Sequence, residues 1–173
     1  GGVKADFVIE ADPLQIKGNK NLLNTCEKII FENEWIKVDK LKQVSSHKIF
    51  VPDLDSISPL VDRISQKNFI KKLGLPTPNW MPMNQFKKVD EKFKDWKFPV
   101  MAKNSKGGYD GKGNRKIVDQ EDLNSFFSQN NPEEWLIEEW VEYEKEFALV
   151  GSRDASGQIR LFPIVETFQS NNI

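Results

Sequence analysis

FPVMAKNSKGGYDGKGNRKIV, at residues 98–118, is the stretch from which the architecture of this chain is most readily predicted. Its apolar start, residues 98–102, predicts a buried strand that ends on Lys103. Its last residues, 115–118, predict a second strand. The loop between the strands carries four glycines, at positions 107, 108, 111 and 113. The pattern therefore predicts two strands joined by a glycine-rich loop.

The composition of this loop suits a phosphate group. Glycines allow backbone N–H groups to approach an anion closely and let the chain adopt positive φ angles. Lys103, Lys106 and Lys112 add positive charge around the loop. The pattern thus predicts a flexible hairpin that covers a phosphate. The alternative is that Asp110 and Gly111 form a type I′ turn, which needs no ligand.

Two better-known phosphate loops do not match the sequence. A P-loop has the pattern G-x-x-x-x-G-K-[ST] before a helix. Gly108 and Gly113 have that separation, but Asn114 stands where lysine is required. The dinucleotide fingerprint G-x-G-x-x-G also fails, because Lys116 occupies the third glycine position after Gly111 and Gly113.

Composition excludes several classes of protein. The 173 residues carry 25 basic and 26 acidic side chains, so the sequence has no basic surplus with which to bind nucleic acid. No apolar run approaches the roughly 18–20 residues of a membrane helix. One cysteine, Cys26, excludes an internal disulfide, and one histidine, His47, excludes a His-rich metal site. We expect a cytoplasmic protein without nucleic-acid or membrane partners.

The first part of the chain alternates between short apolar runs and helical spacing. Strands are predicted at residues 7–9, 28–31 and 49–51, and helices at residues 13–25 and 38–44. This β-α-β-α-β order is typical of a parallel, doubly wound α/β sheet.

A longer apolar pattern follows and predicts one helix within residues 52–74, which Gly74 ends. Arg63 and Lys67 lie four residues apart on it, and such like charges are mildly unfavourable unless one of them has an anionic partner. The next stretch, GLPTPNW, contains two prolines that favour extended neighbours, so we place a domain boundary there.

The residues from 79 to 140 predict a compact α+β unit. Strands are expected at residues 80–83, on both sides of the glycine loop, and at residues 135–141. Helices are expected at residues 89–96 and after Asp119, a good N-cap that precedes Leu123, Phe126 and Phe127 on one helix face. The β-α-β-β-α-β order is that of a lid domain. Beyond it, the pattern predicts strands at residues 147–152 and 159–165 and a turn at residues 155–157.

Three segments, in this order and spacing, resemble an ATP-grasp enzyme: DRISQKNFIKKLGLPTP (62–78), FPVMAKNSKGGYDGKG (98–113) and WLIEEWVEYEKEFALVGSRDASG (135–157). The glycine loop is most similar to that of the 5-(carboxyamino)imidazole ribonucleotide synthetase family, or of the matching domain in the fused eukaryotic purine enzyme. IIFENEW (29–35) and LFPIVET (161–167) also fit this family.

The resemblance implies a domain plan. It comprises a partial Rossmann-like domain, a linking helix and linker, the ATP-grasp lid domain and the start of the C-terminal ATP-grasp domain, at residues 1–53, 54–78, 79–140 and 141–173. It also implies a reaction in purine biosynthesis. ATP, bicarbonate and aminoimidazole ribonucleotide give the carbamate, ADP and phosphate by way of carboxyphosphate. Magnesium is the implied cofactor, and the full-length enzyme is expected to be a homodimer.

The resemblance further implies roles for individual residues in ATP binding. Arg63 and Lys103 match residues that contact the nucleotide phosphates. The lid loop is matched by Gly108, Tyr109, Asp110, Gly111, Lys112, Gly113 and Asn114. The hinge, whose backbone contacts the adenine edge, is matched by Glu138, Glu139, Trp140 and Val141.

Three further roles are implied in the same way. Glu146 matches the carboxylate that accepts the ribose hydroxyls, and Gln169 lies near the nucleotide. Tyr109, Asp110 and Lys112 match loop residues that meet bicarbonate or the second substrate when the lid closes, so they are the implied catalytic residues.

The chain departs from the family in several places. Gln169 stands where histidine is usual, and Thr167 stands where asparagine is frequent. The sequence lacks the family's opening glycine-rich turn and ends before the strands that supply its magnesium-binding carboxylates, so no metal ligand is assigned. We expect a fragment that is inactive alone.

Two alternatives stay open. One is another ATP-grasp ligase, such as a biotin-carboxylase relative or a formate-dependent glycinamide ribonucleotide transformylase, which the YDGKG spelling disfavours. The other is a non-catalytic nucleotide-binding or interaction module. For single residues, strand alternation also allows Glu139 and Glu142 to be simply solvent-facing.

Overall fold

The computed structural model describes residues 26–34, 36–44, 50–86, 96–107 and 113–168. The predicted strand at residues 7–9, the helix at residues 13–25 and nearly all of the helix at residues 89–96 lie outside these ranges. The chain divides into two compact units. The first unit comprises Gly1–Thr77 with Ser105–Gly107, and the second comprises Pro78–Asn104 with Gly108–Ile173.

The first unit contains a parallel β-α-β arrangement. Its elements are β1 (Ile29–Ile30), α1 (Val38–Val44), β2 (Phe50–Val51), α2 (Leu54–Ile57) and α3 (Arg63–Lys72). The strands β1 and β2 run parallel, with Ile29 opposite Phe50, and α1 lies between them in the chain. The parallel pairing predicted for the second and third strands is therefore confirmed.

A small apolar core stabilises the first unit. Val38 of α1, Phe50 of β2 and two residues of α2, Leu54 and Ile57, are buried in it. The ring of Phe31 stacks on that of Phe50, with centroids 5.5 Å apart. The core thus joins the two strands to both of the short helices beside them.

The single helix predicted within residues 52–74 is wrong. The chain instead forms α2, a 3₁₀ turn at Ser58–Leu60 and then α3. Pro59 lies in the turn, where its missing N–H and fixed φ angle disfavour a continuous helix through this point.

A new cap starts the second helix of this segment. The Asp62 carboxylate accepts a hydrogen bond from the Ser65 N–H at 2.9 Å, which satisfies a donor that has no partner within α3. At the other end Gly74, with φ of 69°, terminates the helical segment as predicted. Local capping therefore explains why one amphipathic pattern gives two helices.

A four-stranded antiparallel sheet lies at the centre of the second unit. Its strands are β3 (Trp80–Pro82), β4 (Val100–Asn104), β5 (Asn114–Ile117) and β6 (Trp135–Glu139). Their order across the sheet is β3-β6-β4-β5, and all three pairings are antiparallel. The two strands of the glycine hairpin are confirmed with slightly shifted ends, whereas β6 stops at Glu139 rather than at residue 141.

Two helices pack on this sheet. The helix α4 (Met83–Phe86), which was not predicted, follows β3, and α5 (Gln120–Gln129) links β5 to β6. The order β3-α4-β4-β5-α5-β6 agrees with the predicted β-α-β-β-α-β order. Of the helices in the described ranges, none is long and apolar enough to span a membrane.

The core of the second unit confirms the predicted amphipathic helix. Three residues of α5 are buried against one face of the sheet: Leu123, Phe126 and Phe127. The sheet side of this core consists of Val100, Ala102, Ile117 and Ile137. As predicted, Asp119 caps α5, because its carboxylate accepts a hydrogen bond from the Asp122 N–H at 2.8 Å.

Four short strands follow this four-stranded sheet. They are β7 (Glu146–Ala148), β8 (Gly151–Arg153), β9 (Ile159–Leu161) and β10 (Val165–Thr167). Antiparallel pairs form between β8 and β9 and between β7 and β10. The two continuous strands predicted at residues 147–152 and 159–165 are therefore each interrupted. Pro163 lies between β9 and β10, where it cannot donate a ladder hydrogen bond.

A tight turn joins β8 to β9 at the predicted position. The Asp154 carboxylate accepts hydrogen bonds from the Ser156 hydroxyl and from the N–H groups of Ser156 and Gln158. Gly157 adopts a positive φ of 87° in this turn. The hydrogen bond from the Ser156 hydroxyl, followed by that from the Gln158 N–H, holds the pKa of Asp154 below its ordinary value.

We expect the stabilising effect of Asp154 to depend on pH. Because its pKa is lower in the folded than in the unfolded chain, the stabilisation is complete above the unfolded-state pKa and is lost as pH falls through the folded-state pKa. The melting temperature of Asp154→Ala should lie below that of the wild type at neutral pH, and the gap should narrow below about pH 4. Circular dichroism melts measure this gap; a gap that keeps its size in acid would contradict the expectation.

Candidate functional site

One face of the four-stranded sheet in the second unit carries charged side chains. Val100, Ala102 and Ile137 point into the helix-covered core, so the residues that alternate with them in β4 and β6 point to the other face. Register places Lys103 opposite Leu136, and Met101 opposite both Glu138 and Lys116. We call this side of the sheet the charged face, formed by Met101, Lys103, Lys116, Leu136 and Glu138.

An ion pair links β4 to β6 on the charged face. Lys103 Nζ lies 2.7 Å from Glu138 Oε2. Glu138 is only 2% exposed, whereas 27% of the Lys103 side chain is exposed. A carboxylate this deeply buried is strongly destabilising unless a cation compensates it. The Lys103 ammonium therefore stabilises Glu138, and part of the lysine side chain remains exposed.

Lys103 lies at the base of the glycine hairpin. It pairs with Asn114 across β4 and β5, and the Asn104 N–H donates to the Gly113 carbonyl at 2.8 Å. Gly107 has a φ of 71°, which a side chain would strain. Gly113 and Asn114, both predicted loop residues, thus lie at the base of the hairpin. The predicted residues that lie outside the described ranges are Gly108, Tyr109, Asp110, Gly111 and Lys112.

Hydrogen bonds to Asn79 hold the end of β6, where the hinge segment, residues 138–141, leaves the sheet. The Glu139 N–H donates to the Asn79 carbonyl at 2.9 Å. In return, the Asn79 side-chain amide donates to Glu139 Oε2 at 2.8 Å. The Glu139 carboxylate therefore accepts a hydrogen bond from Asn79 and is not simply solvent-facing. Glu142, in contrast, is exposed.

A lysine covers the next residue of the hinge segment. Lys116 Nζ lies 4.3 Å from the centroid of the Trp140 ring, a distance typical of a cation–π contact. Trp140 is 37% exposed and Val141 is 48% exposed. Between Glu139 and Glu146 the chain has no helix or strand. Side-chain contacts, rather than a hydrogen-bond ladder, therefore position this part of the chain.

Glu146 is oriented by a residue on the opposite strand. It lies on β7 directly across from Thr167 of β10, whose hydroxyl donates to Glu146 Oε1 at 2.7 Å. Thr167 is one of the two positions at which the sequence departs from the family pattern. The structure gives it a role as a hydrogen-bond donor to a predicted site residue. Gln169, the other departure, lies outside the described residues.

Arg63 is the first residue of α3, in the first unit. Its backbone N–H donates to the Ser105 carbonyl at 2.8 Å. The Ser65 N–H is bonded to Asp62. These two N–H donors are thus engaged, and the guanidinium is the group of Arg63 that can contact an anion. Lys67, whose like charge was predicted to be unfavourable, donates to the Thr77 hydroxyl.

The structure therefore groups the predicted residues unevenly. Lys103, Asn114 and the hinge segment meet around the charged face, Glu146 lies further along in the same unit, and Arg63 belongs to the other unit. Three contributors were not predicted: Asn79, Lys116 and, as the partner of Glu146, Thr167. Asn79 and Thr167 contact residues 60 and 21 positions away, and no local pattern indicates such pairs.

In the part of the chain that the structure describes, no three His, Cys, Asp or Glu side chains are grouped so that they could hold a metal ion. The donor set of these residues therefore does not form a magnesium site of its own.

Comparison with known proteins gives one family and several similar enzymes. The profile described as "ATP-grasp domain" matches residues 68–173. The chain is 34% identical over 170 residues to N5-carboxyaminoimidazole ribonucleotide synthase from Synechocystis, an alignment that covers 98% of this chain and 42% of that protein. The chain thus spans less than half the length of this relative.

Solved structures give the same result. The ADP complex of an N5-carboxyaminoimidazole ribonucleotide synthetase superimposes with a TM-score of 0.86 at 28% identity, covering 98% of this chain and 45% of that one. The Staphylococcus aureus N5-carboxyaminoimidazole synthetase complexed with ADP also gives 0.86, at 27% identity, covering 95% of this chain and 44% of that one. The ATP-grasp fold predicted from the sequence is therefore confirmed.

Proposed function

Since this chain belongs to the ATP-grasp family, we propose that it carries the nucleotide-binding residues of an ATP-dependent ligase that forms a carbon–nitrogen bond. The reaction is carboxylation of 5-aminoimidazole ribonucleotide with bicarbonate, which gives 5-(carboxyamino)imidazole ribonucleotide, ADP and phosphate in purine biosynthesis. The relatives' name supports the substrate, and two solved relatives complexed with ADP support the nucleotide.

The observation that carries this proposal is the Lys103–Glu138 ion pair at the base of the glycine hairpin. The Lys103 side chain is partly exposed, so we infer that an incoming phosphate can share its charge with the Glu138 carboxylate. Lysine binds phosphate as a point charge and does not need a fixed fork geometry. In this proposal Lys103 neutralises phosphate charge.

Adenine is assigned to the hinge segment, and ribose to Glu146. Trp140 and Val141, the two hinge residues beyond β6, offer backbone N–H and C=O groups to the adenine edge and are exposed enough for a ligand to reach them. Glu146 offers two carboxylate oxygens to the ribose diol. The hydrogen bond from Thr167 supports this role because it fixes the orientation of that carboxylate.

The chemistry asks the protein mainly for positioning and for exclusion of water. A bicarbonate oxygen attacks the γ-phosphorus and ADP leaves, which gives carboxyphosphate. The amine of aminoimidazole ribonucleotide then attacks the carboxyl carbon, and phosphate leaves. Carboxyphosphate hydrolyses unless it is sequestered, so we assign closure over it to the glycine loop, with Tyr109, Asp110 and Lys112 facing the substrates.

Magnesium and the homodimer belong to this proposal through the family alone, and the cytoplasmic location through the single cysteine. The described residues supply no metal cluster of their own, so no step is assigned to the metal. We also keep the expectation that these 173 residues are inactive alone. ATP-dependent carboxylation by the isolated chain would contradict it.

The choice of acceptor tests the proposed reaction. ADP release should be measured from the longest natural form of the protein that contains these residues. Aminoimidazole ribonucleotide with bicarbonate should stimulate it, and glycinamide ribonucleotide with formate should not. Stimulation by the second pair would instead assign the chain to another ATP-grasp ligase, and no stimulation by any acceptor would favour a non-catalytic module.

We expect Thr167→Val to weaken nucleotide binding. Valine keeps the shape of threonine but cannot donate the hydrogen bond that orients Glu146. Loss of about 0.5–1.5 kcal/mol corresponds to a Kd for ATP that is about two- to tenfold higher. Calorimetry measures the Kd, with Thr167→Ser as the control that keeps the hydroxyl. Equal affinity of the valine and serine variants would contradict the assigned role of Thr167.

A further inference from the structure

The contact between Lys116 and Trp140 joins two parts of the site that the proposed function leaves separate. Lys116 belongs to β5, the second strand of the glycine hairpin, and Trp140 belongs to the hinge segment. The ammonium lies 4.3 Å from the ring centroid. Among the described residues, Lys116 has no carboxylate within ion-pair distance. The indole ring is therefore the group that its charge meets on the charged face.

The backbone of β5 is held firmly enough for this contact to act as a constraint. Arg115, the preceding residue, points to the opposite face, where its guanidinium is 2.6 Å from the Asp122 carboxylate and lies over the Phe126 ring. The strand is also paired to β4, with Lys116 opposite Met101. Adjacent residues of β5 thus contact α5 on one face and the hinge segment on the other.

The hinge segment, in contrast, depends on few contacts. Hydrogen bonds to Asn79 hold Glu139, after which the chain leaves the sheet. For Trp140, the contact with Lys116 is the described interaction that ties it back to the sheet. A cation–π contact at a partly exposed site is modest in strength, and it has a preferred position over the ring face.

We propose that Lys116 is a positioning residue that fixes the hinge segment through Trp140 and so couples the adenine-binding backbone to the glycine hairpin. The part of this inference that concerns adenine rests on the proposed function, whereas the part that concerns the hinge does not. Because the contact spans from β5 to the residue after β6, the firmly held strand limits the positions that the hinge segment can adopt.

Amide hydrogen exchange on the full 173-residue chain tests the proposal without a ligand. Lys116→Met keeps the length of the side chain but removes its charge. It should raise the exchange rates of the amides at residues 140–145 about two- to fivefold, the factor expected for an exposed cation–π contact. Lys116→Arg should restore the wild-type rates, and Lys97→Met, at another exposed lysine of the second unit, should leave them unchanged. The proposal would be overturned if the exchange rates at residues 140–145 were unchanged in Lys116→Met. It would also be overturned if Lys116→Arg exchanged as fast as Lys116→Met.

A double-variant cycle keeps the test valid if Lys116→Met also loosens the whole sheet. Trp140→Leu removes the ring, and it should raise hinge exchange by a similar factor. The double variant should exchange no faster than the faster single variant, because both changes remove the same contact. Independent, multiplying increases would overturn the proposal.

Nucleotide affinity separates this inference from the proposed function. The Kd for ATP should be about two- to fivefold higher in Lys116→Met than in the wild type, with recovery in Lys116→Arg. If the wild type binds ATP and Lys116→Met binds it equally well, the coupling to adenine is wrong. If the wild type binds no ATP, the nucleotide-binding part of the proposed function fails for this chain, and the hinge exchange rates alone decide whether Lys116 positions the hinge.

Discussion

Lys103→Ala is expected to lower the free energy of unfolding of the second unit by about 3–5 kcal/mol. The substitution removes the ammonium that pairs with Glu138 at 2.7 Å. Glu138 is 2% exposed, so water cannot replace that ammonium effectively. Urea unfolding followed by tryptophan fluorescence measures the change. Four of the five tryptophans, Trp80, Trp96, Trp135 and Trp140, lie in the second unit and report on it.

The matched control removes both charges together. In Lys103→Met/Glu138→Leu the buried pair is replaced by apolar side chains of similar size, and such replacements are often neutral or stabilising. We expect this double variant to unfold within about 1 kcal/mol of the wild type. If Lys103→Ala unfolds at the same urea concentration as the wild type, the ion pair has no structural role. If the double variant is as unstable as the single one, the loss comes from packing rather than from charge.

The stability of Lys103→Ala also determines how a loss of ATP binding in this variant should be interpreted. If the variant fails to bind ATP because its four-stranded sheet is unfolded, the result does not test whether the lysine contacts ATP. The double variant separates loss of the fold from loss of the cation, because we expect it to remain folded without the lysine. It is therefore the appropriate variant for every binding experiment on this site.

Phe126→Ala is expected to destabilise the second unit by a similar amount, about 3–5 kcal/mol. Phe126 is 2% exposed and packs edge-on against Trp135, with ring centroids 4.9 Å apart. Its other neighbours include the Arg115 guanidinium, 5.4 Å from the ring centroid. Truncation leaves a cavity between α5 and the sheet, and the same urea titration measures its cost.

Phe147→Ala is the control for that experiment. Phe147 lies on β7 in the same unit and is 60% exposed, so its removal should change the free energy of unfolding by no more than about 0.5 kcal/mol. Equal effects of the two substitutions would contradict the assignment of the core to the α5 side of the sheet.

The parts of the fold that follow from local patterns were predictable. Asp119, Leu123, Phe126 and Phe127 specify a capped amphipathic helix within a few residues, and the structure forms it as expected. The glycine hairpin is similar, because its apolar strand and its turn residues are contiguous in the chain.

Segments in which one periodic pattern covers two elements were not predictable in the same way. Apolar spacing runs through residues 52–74, but Asp62 caps a new helix within it. Likewise, Pro163 lies in what looked like one strand. In both cases a single residue with a strong local preference interrupts a pattern that hydrophobic periodicity alone would continue.

The candidate site, like the fold, could be predicted only in part. Lys103 and the hinge segment could be proposed from the glycine loop and from the family resemblance. Their partners could not, because the Lys103–Glu138 pair depends on the register of β4 against β6, and the Glu146–Thr167 pair depends on that of β7 against β10. Register is set by the hydrophobic patterns and turns of both strands together, so the residues around one partner do not by themselves indicate the other.

The most direct test of the central claim is calorimetric titration of ATP with magnesium into three forms of the chain. The wild type and Phe147→Ala should bind with the same affinity, and Lys103→Met/Glu138→Leu should show no measurable binding while keeping its fold. This result would locate the nucleotide at the Lys103–Glu138 pair on the charged face. Binding of ATP by the folded double variant with wild-type affinity would contradict the claim.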